Sequence, residues 1–332
     1  MLHTAVADWP ALHGGFFRSA RALVTGGAGF IGSHLVEALV TLGASVVVLD
    51  DLSGGSRENL AGLAPVDFVE GSILDQRVLA RCVSGCRWVF HLAALGSVPG
   101  SVEKPRLYHE VNATGTLNVL EAARAAGVQR LVFAASSSAY GQNQVPWIET
   151  MPPLPQSPYA ATKLAGEGLL RAYWASYGLD TASLRYFNIF GPRQNANSAY
   201  AAVIAAFAKA MLSDRPPVIY GDGEQSRDFT FVHNAVHANL LAARCRRALA
   251  GQVINVGCGT RITVNRLAAE MASLLGKPHL QPVHQPERAG DIKHSYADLR
   301  LAREVLGYEP VMDFAPGLAL TLEWYRRVLG GR

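Results

Sequence analysis

Thr25-Gly26-Gly27-Ala28-Gly29-Phe30-Ile31-Gly32 follows a short apolar run, residues 22–25, and opens an apolar-periodic stretch over residues 31–42. That succession predicts strand, turn, helix. In such a turn Gly26 permits the tight bend, Gly29 lets the backbone approach a pyrophosphate, and Gly32 allows close packing of a helix whose first N–H groups face an anion. A second apolar run, residues 45–49, ends in Asp50, where an acid takes both ribose hydroxyls of an adenosine and repels a 2′-phosphate. Residues 22–50 therefore predict a βαβ unit that binds NAD rather than NADP.

Further along, strands near Val46, Val66, Val89, Val132 and Ala182 alternate with helical stretches such as residues 107–126. This alternation predicts an α/β fold with a doubly wound parallel (Rossmann) sheet. After Arg185 the character changes, with loops around Pro192, Pro216 and Gly221. A chain of 332 residues with 49% hydrophobic content can bury one such domain plus a smaller cap.

Ser157-Pro158-Tyr159-Ala160-Ala161-Thr162-Lys163 supplies the chemistry. Residues 158–177 read as a helix with proline in its first turn, so Tyr159 and Lys163, four apart, share a face. An ammonium there, with a positive nicotinamide ring, favours phenolate over phenol. The apolar run 130–135 ends in Ser136-Ser137-Ser138, placing hydroxyls at the C-terminal end of a strand, where a doubly wound sheet binds its ligand.

At this point the chain resembles the extended short-chain dehydrogenase/reductases, and within them the UDP-sugar 4-epimerases. The resemblance spans residues 21–329 and rests on the Gly26-Gly29-Gly32 loop, His91-Leu92-Ala93-Ala94, Asn112 in Val111-Asn112-Ala113-Thr114-Gly115, Ser136, Tyr159, Lys163 and Arg185-Tyr186-Phe187-Asn188. It implies Ser136, Tyr159 and Lys163 as catalytic residues. The NAD contacts it implies are Gly26, Gly29, Phe30, Ile31, Gly32, Asp50, Ser72, Ile73, Leu92, Ala93, Ala94, Asn112, Tyr159, Lys163 and Tyr186. The implied reaction removes a hydride from sugar C4 while Tyr159 takes the 4-hydroxyl proton. Ser136 steadies the oxygen, and the 4-keto sugar turns over before the hydride returns to its other face.

Nucleotide-sugar dehydratases carry Asp-Glu directly after their catalytic Thr, where this chain has Ser137 and Ser138, and related decarboxylases keep a glutamate where it has Ser138. Hydroxyls alone suit hydride removal and return, so the dehydratase and decarboxylase readings weaken. The resemblance also implies substrate contacts at Ser136, Ser137, Asn188, Tyr200, Val203, Arg227, Arg288, Asp291 and Ser295. Two guanidiniums, Arg227 and Arg288, suit one diphosphate. Ser295 stands where epimerases restricted to unacetylated sugars carry a tyrosine, which leaves room for an N-acetyl group. With His294 and residues 198–204, it resembles the bacterial UDP-N-acetylglucosamine 4-epimerase group. A 4-epimerase of a UDP-hexuronic acid, an NAD-dependent sugar dehydrogenase and an idle NAD-binding regulator remain open alternatives.

Net charge is +4, yet basic residues are scattered among acids, so nucleic acid is not an expected partner. Cys82, Cys86, Cys245 and Cys258 show no CxxC pairing and no histidine ladder, so reduced thiols and no metal are expected. No apolar stretch approaches the ~20 residues of a membrane span, which with the thiols predicts a cytoplasmic protein. Residues 1–20 form an extension that either packs on the body or is disordered. The resemblance implies a homodimer and two interleaved domains: residues 21–185 plus about 229–258 for NAD, and about 186–228 plus 259–332 for the UDP-sugar.

Overall fold

The computed structural model describes residues 7–63, 65–196, 202–287 and 292–329. Its frame is a seven-stranded parallel sheet of β1 (Arg21–Thr25), β2 (Ser45–Asp50), β3 (Asp67–Glu70), β4 (Trp88–His91), β5 (Arg130–Ser136), β6 (Thr181–Tyr186) and β7 (Gln252–Val256). Their spatial order is β7-β6-β5-β4-β1-β2-β3, every neighbouring pair parallel. The sheet is doubly wound, as expected. Its order reverses between β1 and β4, and the strand ends there form the crevice in which such sheets take ligands.

Strands covered on both faces need apolar residues without alternation. β2 is Ser-Val-Val-Val-Leu-Asp, buried from Val46 onward. One face packs against α2 (Phe30–Thr41) and α7 (Val232–Arg244). The other packs against α3 (Gln76–Val83), α4 (Gly115–Ala125) and α5 (Pro158–Tyr177). α5 starts where the sequence predicts: Ser157 accepts from the Ala160 N–H at 3.2 Å, Pro158 opens the first turn, and Gly178 closes the helix at φ 70°.

A second core gathers Phe190, Phe229, Phe231 and Phe314 around α6 (Val203–Leu212), α8 (Val264–Leu275) and α10 (Phe314–Leu329). The tail does not stay with it throughout. α9 (Arg300–Leu306) buries Ala302, Val305 and Leu306 against the first core, because β7 and α7 leave an apolar face beside it.

The expected helix over residues 107–126 is divided. A helix at Pro105–His109 passes through a π turn, Glu110–Thr114, before α4 begins. Asn112 sits in that turn, its Oδ1 accepting from the Leu95 N–H at 2.8 Å and its Nδ2 donating to the Leu95 carbonyl at 3.1 Å and the Thr162 hydroxyl at 3.1 Å. A Cβ on Gly115 would lie 2.5 Å from Ile73, so the extra residue of the wide turn is set by tertiary contacts.

Residues 7–20 of the extension pack on the body. α1 (Trp9–His13) begins with Asp8 accepting from Ala11 N–H at 3.0 Å, and Trp9, His13 and Phe17 are buried against α2, α7 and Trp88.

Candidate active site

The glycine loop fits a dinucleotide. Gly26 holds φ 70°, and a Cβ on it would lie 2.7 Å from Ala93 N, so Leu92 and Ala93 of the loop after β4 abut the turn. A Cβ on Gly32 would fall 2.0 Å from Gly26 O. At Gly29 the clearance is 3.2 Å, and no side chain caps α2, which leaves the N–H groups of Phe30, Ile31 and Gly32 to the loop mouth. Asp50 ends β2, one oxygen accepting from Ala28 N–H at 2.9 Å and the other from Leu52 N–H at 2.8 Å. Burial pushes its carboxyl above the ordinary value, and those two N–H groups oppose the shift. Lone pairs remain on both oxygens for hydroxyl donors. Ser72 and Ile73 follow β3, and Ala94 follows Ala93, all on the same edge.

Ser136, Tyr159 and Lys163 converge at the end of β5. The half-buried Tyr159 phenol is raised above its ordinary value by burial, while a hydrogen bond with Ser136 pulls it down. Ser138 donates to the Ser136 oxygen at 2.9 Å by its hydroxyl, and Ser137 begins the 3-10 turn Ser137–Tyr140. Lys163 is buried, donates to the Ala134 carbonyl at 2.9 Å, and lies 6.0 Å from the Tyr159 ring centroid. Burial drives its ammonium down to about 8, with Glu167 opposing. Asn112 holds Thr162, whose hydroxyl donates to the Tyr159 carbonyl at 2.8 Å. The Tyr186 hydroxyl accepts from Asn239 on α7 at 2.6 Å, and its ring is buried in the first core.

A cavity of about 280 Å³ opens beside this edge, lined by Asn188, Val203, Phe207, Tyr220, Arg227 and Phe229 among others. Asn188 holds φ 35°, a left-handed conformation that asparagine tolerates and that concentrates at functional positions. Its Nδ2 donates to Ser295 Oγ at 3.4 Å, and Ser295 pairs with Arg227 between parallel strands. The cavity thus gathers Asn188, Val203 and Arg227, with Ser295 behind them. Tyr200, Arg288 and Asp291 lie outside the described residues.

Three residues have supporting roles that the sequence reading did not assign. Asp228 is fully buried, and its carboxylate accepts from the N–H groups of Cys258 and Gly259 at 2.9 Å and Ala297 at 3.2 Å. It ties the Arg227 strand to the Ser295 segment; burial pushes it up to about 6. Its signal was its place directly after Arg227. His91 bridges the Thr25 hydroxyl at 2.8 Å and the Thr116 hydroxyl at 3.0 Å, and burial holds it near pKa 3, so it serves as a neutral strut. Glu167 sits one turn beyond Lys163, bound to Arg185 through both oxygens at 2.8 and 2.7 Å.

Residues 22–257 match the NAD dependent epimerase/dehydratase family. The chain belongs to it. A UDP-glucose 4-epimerase of Mycolicibacterium smegmatis is 42% identical over 92% of this chain and 98% of its own length. Among solved structures, a UDP-N-acetylglucosamine 4-epimerase from Methanobrevibacter ruminantium, in complex with UDP-N-acetylmuramic acid, superposes with TM-score 0.89 at 41% identity, covering 94% of this chain and 99% of that one. The Thermotoga maritima UDP-glucose 4-epimerase with UDP-glucose gives TM-score 0.88 at 40% identity, covering 93% and 99%. NAD is the cofactor of this family, and the glycine loop and Asp50 fit it. Among the described residues no helix is long and apolar enough to cross a membrane.

Proposed function

We propose that the protein is a UDP-sugar 4-epimerase that interconverts UDP-N-acetylglucosamine and UDP-N-acetylgalactosamine, with UDP-glucose and UDP-galactose as further substrates. The observation that carries the substrate choice is Ser295. It is 5% exposed and bonded to Asn188 at the cavity wall, so a small hydroxyl stands where a ring would otherwise take up volume. NAD, when bound, supplies reversible hydride acceptance. Tyr159 receives the 4-hydroxyl proton and later returns one, and Ser136 donates to the developing oxyanion. Lys163 holds the nicotinamide ribose and favours the phenolate. Ser137 and Ser138 carry no acid, which supports epimerisation over loss of water or of carbon dioxide. Arg227 steadies the diphosphate from within the cavity wall, and Arg288 and Asp291 complete the nucleotide contacts.

The active assembly in this reading is a homodimer. Its support is a groove lined by Ala113, Leu117, Ala165 and Leu169 between α4 and α5, with Leu117 and Leu107 exposed.

Proton NMR of purified protein with UDP-N-acetylglucosamine and no added NAD tests the reading. Formation of UDP-N-acetylgalactosamine is expected, and Ser295→Tyr should abolish it while retaining turnover of UDP-glucose. Turnover confined to UDP-glucose, or to a UDP-hexuronic acid, would overturn the substrate assignment.

A further inference from the structure

Lys163 is a buried cation whose hydrogen bond goes to a neutral carbonyl, Ala134 O at 2.9 Å. The Phe133 ring lies beneath it, 4.9 Å from Nζ to the centroid. Neither partner carries a charge, and an isolated ammonium loses its proton in such surroundings. The groups that could oppose that loss are few. His91 faces Lys163 from β4 as a neutral imidazole. Tyr159 lies on the same helix, and Tyr108 faces Tyr159 from the preceding helical segment. Glu167 stands one turn along α5 on the buried face, alongside Ala160 and Leu170.

Glu167 is not free to leave. Arg185 of β6 grips both its oxygens, and the side chains are 7% and 4% exposed, so neither can exchange its partner for water. Arg185 in turn lies over the Tyr140 ring, 4.5 Å from its centroid, and the Tyr140 hydroxyl donates to Asn255 Oδ1 at 2.7 Å. Tyr140 closes the 3-10 turn that Ser136 caps. One ion pair thus touches the helix that carries Tyr159 and Lys163 and the turn that follows Ser136.

We propose that Glu167 is a positioning residue of this site: clamped by Arg185, it is the counter-charge that lets Lys163 stand as an ammonium beside Tyr159. This rests on the epimerase reading for its consequence in turnover, but not for the charge itself. An ion pair placed here only to hold α5 against β6 would leave the lysine indifferent.

The chain has five lysines, which makes a direct titration practical. Protein with NAD bound is labelled with [ε-13C]lysine, the Lys163 resonance is assigned by its loss in Lys163→Met, and its pH midpoint is read in wild type and in Glu167→Gln. The expected result is a midpoint lower by about one pH unit in Glu167→Gln, with Glu167→Asp near wild type. The alkaline limb of the kcat profile should move down with it. An unchanged midpoint in Glu167→Gln, or kcat reduced by the same factor at every pH, overturns the proposal. Should Glu167→Gln fail to fold because Arg185 is left buried alone, the double variant Glu167→Gln/Arg185→Met is compared with Arg185→Met, so that the lost guanidinium is common to both, and equal midpoints in the two overturn the proposal. If wild type turns over no nucleotide sugar, the functional reading falls while the lysine midpoint still decides this one.

Discussion

Two groups of titratable side chains lie deep in this molecule, and they meet burial in opposite ways. Around the catalytic helix, Lys163, Glu167 and Arg185 are arranged as opposite charges in contact or one turn apart. Where the N-terminal extension docks, His13, His34, His233 and His237 meet edge to face in two pairs: His13 Nε2 and His237 Nδ1 are 3.0 Å apart, His34 faces His233 and its Nε2 donates to the Pro192 carbonyl at 3.0 Å, and Trp9 meets the His233 ring edge-on. Burial holds His13 near pKa 3 and His233 and His237 near 4, with Arg244 and Arg193 adding repulsion, and it holds His34 well below the ordinary imidazole value too. Beside Tyr159 buried charge is kept and paired, whereas among these histidines burial keeps the rings neutral.

The sharpest way to break that contrast is Tyr159→Phe. On the proposed mechanism it removes the acid–base group and should lower turnover by about 10²–10⁴-fold while leaving the thermal midpoint near wild type, as measured by sugar NMR and calorimetry. Loss of folding instead would make the catalytic cluster a packing device like the other.

Acid unfolding is next in size. The four imidazoles have folded pKa values below the unfolded 6.5, so the unfolded state binds more protons as pH falls. Their stability contribution is complete above about pH 6.5 and disappears on the way down to about 4. Each imidazole that stays neutral costs about 2 kcal/mol at pH 5 relative to neutral pH. Urea midpoints between pH 7 and 5 should therefore fall steeply, and a flat profile would show that the histidines are solvated. Lys163 acts in the other window: lowered to about 8, it makes stability rise with pH between there and its ordinary 10.5.

His13→Phe should have the smallest effect. It removes one imidazole from the cluster, costs about 1 kcal/mol at neutral pH for the lost hydrogen bond, and shrinks the pH 5 deficit by about 2 kcal/mol. Turnover at neutral pH should be unchanged, because His13 packs against His237 and Phe17, away from Tyr159. A fall in kcat would join the two regions functionally.

The same contrast explains what was legible beforehand. Gly26-Gly29-Gly32 and Tyr159-Lys163 are local patterns whose spacing fixes their geometry, and both arrive in the structure as read. The histidine cluster draws on positions 13, 34, 233 and 237, which no window connects, so the extension's docking could not be chosen over disorder. The π turn at Asn112 was hidden for a related reason: its cause is Ile73 against Gly115 and the main chain of Leu95, not any helix-breaking residue. Glu167 and Arg185 stood in view within recognised stretches, yet their pairing across α5 and β6 is a fact of the fold alone.

The strand order carries a consequence for how the protein is made. β6 acquires its outer neighbour only when residues 252–256 exist, and buried Arg130 on β5 finds its acceptors on Ala242, Ala243, Cys245 and Arg247 at the close of α7. Between synthesis of Tyr186 and of residues 252–256 the growing chain therefore has a sheet with an open edge at Thr181–Tyr186, and until residue 247 is made Arg130 lacks those carbonyls. Most of the residues that line the cavity, 188–229, are therefore made before the seventh strand closes the sheet, and in that interval the unpaired edge is a template for association with other chains.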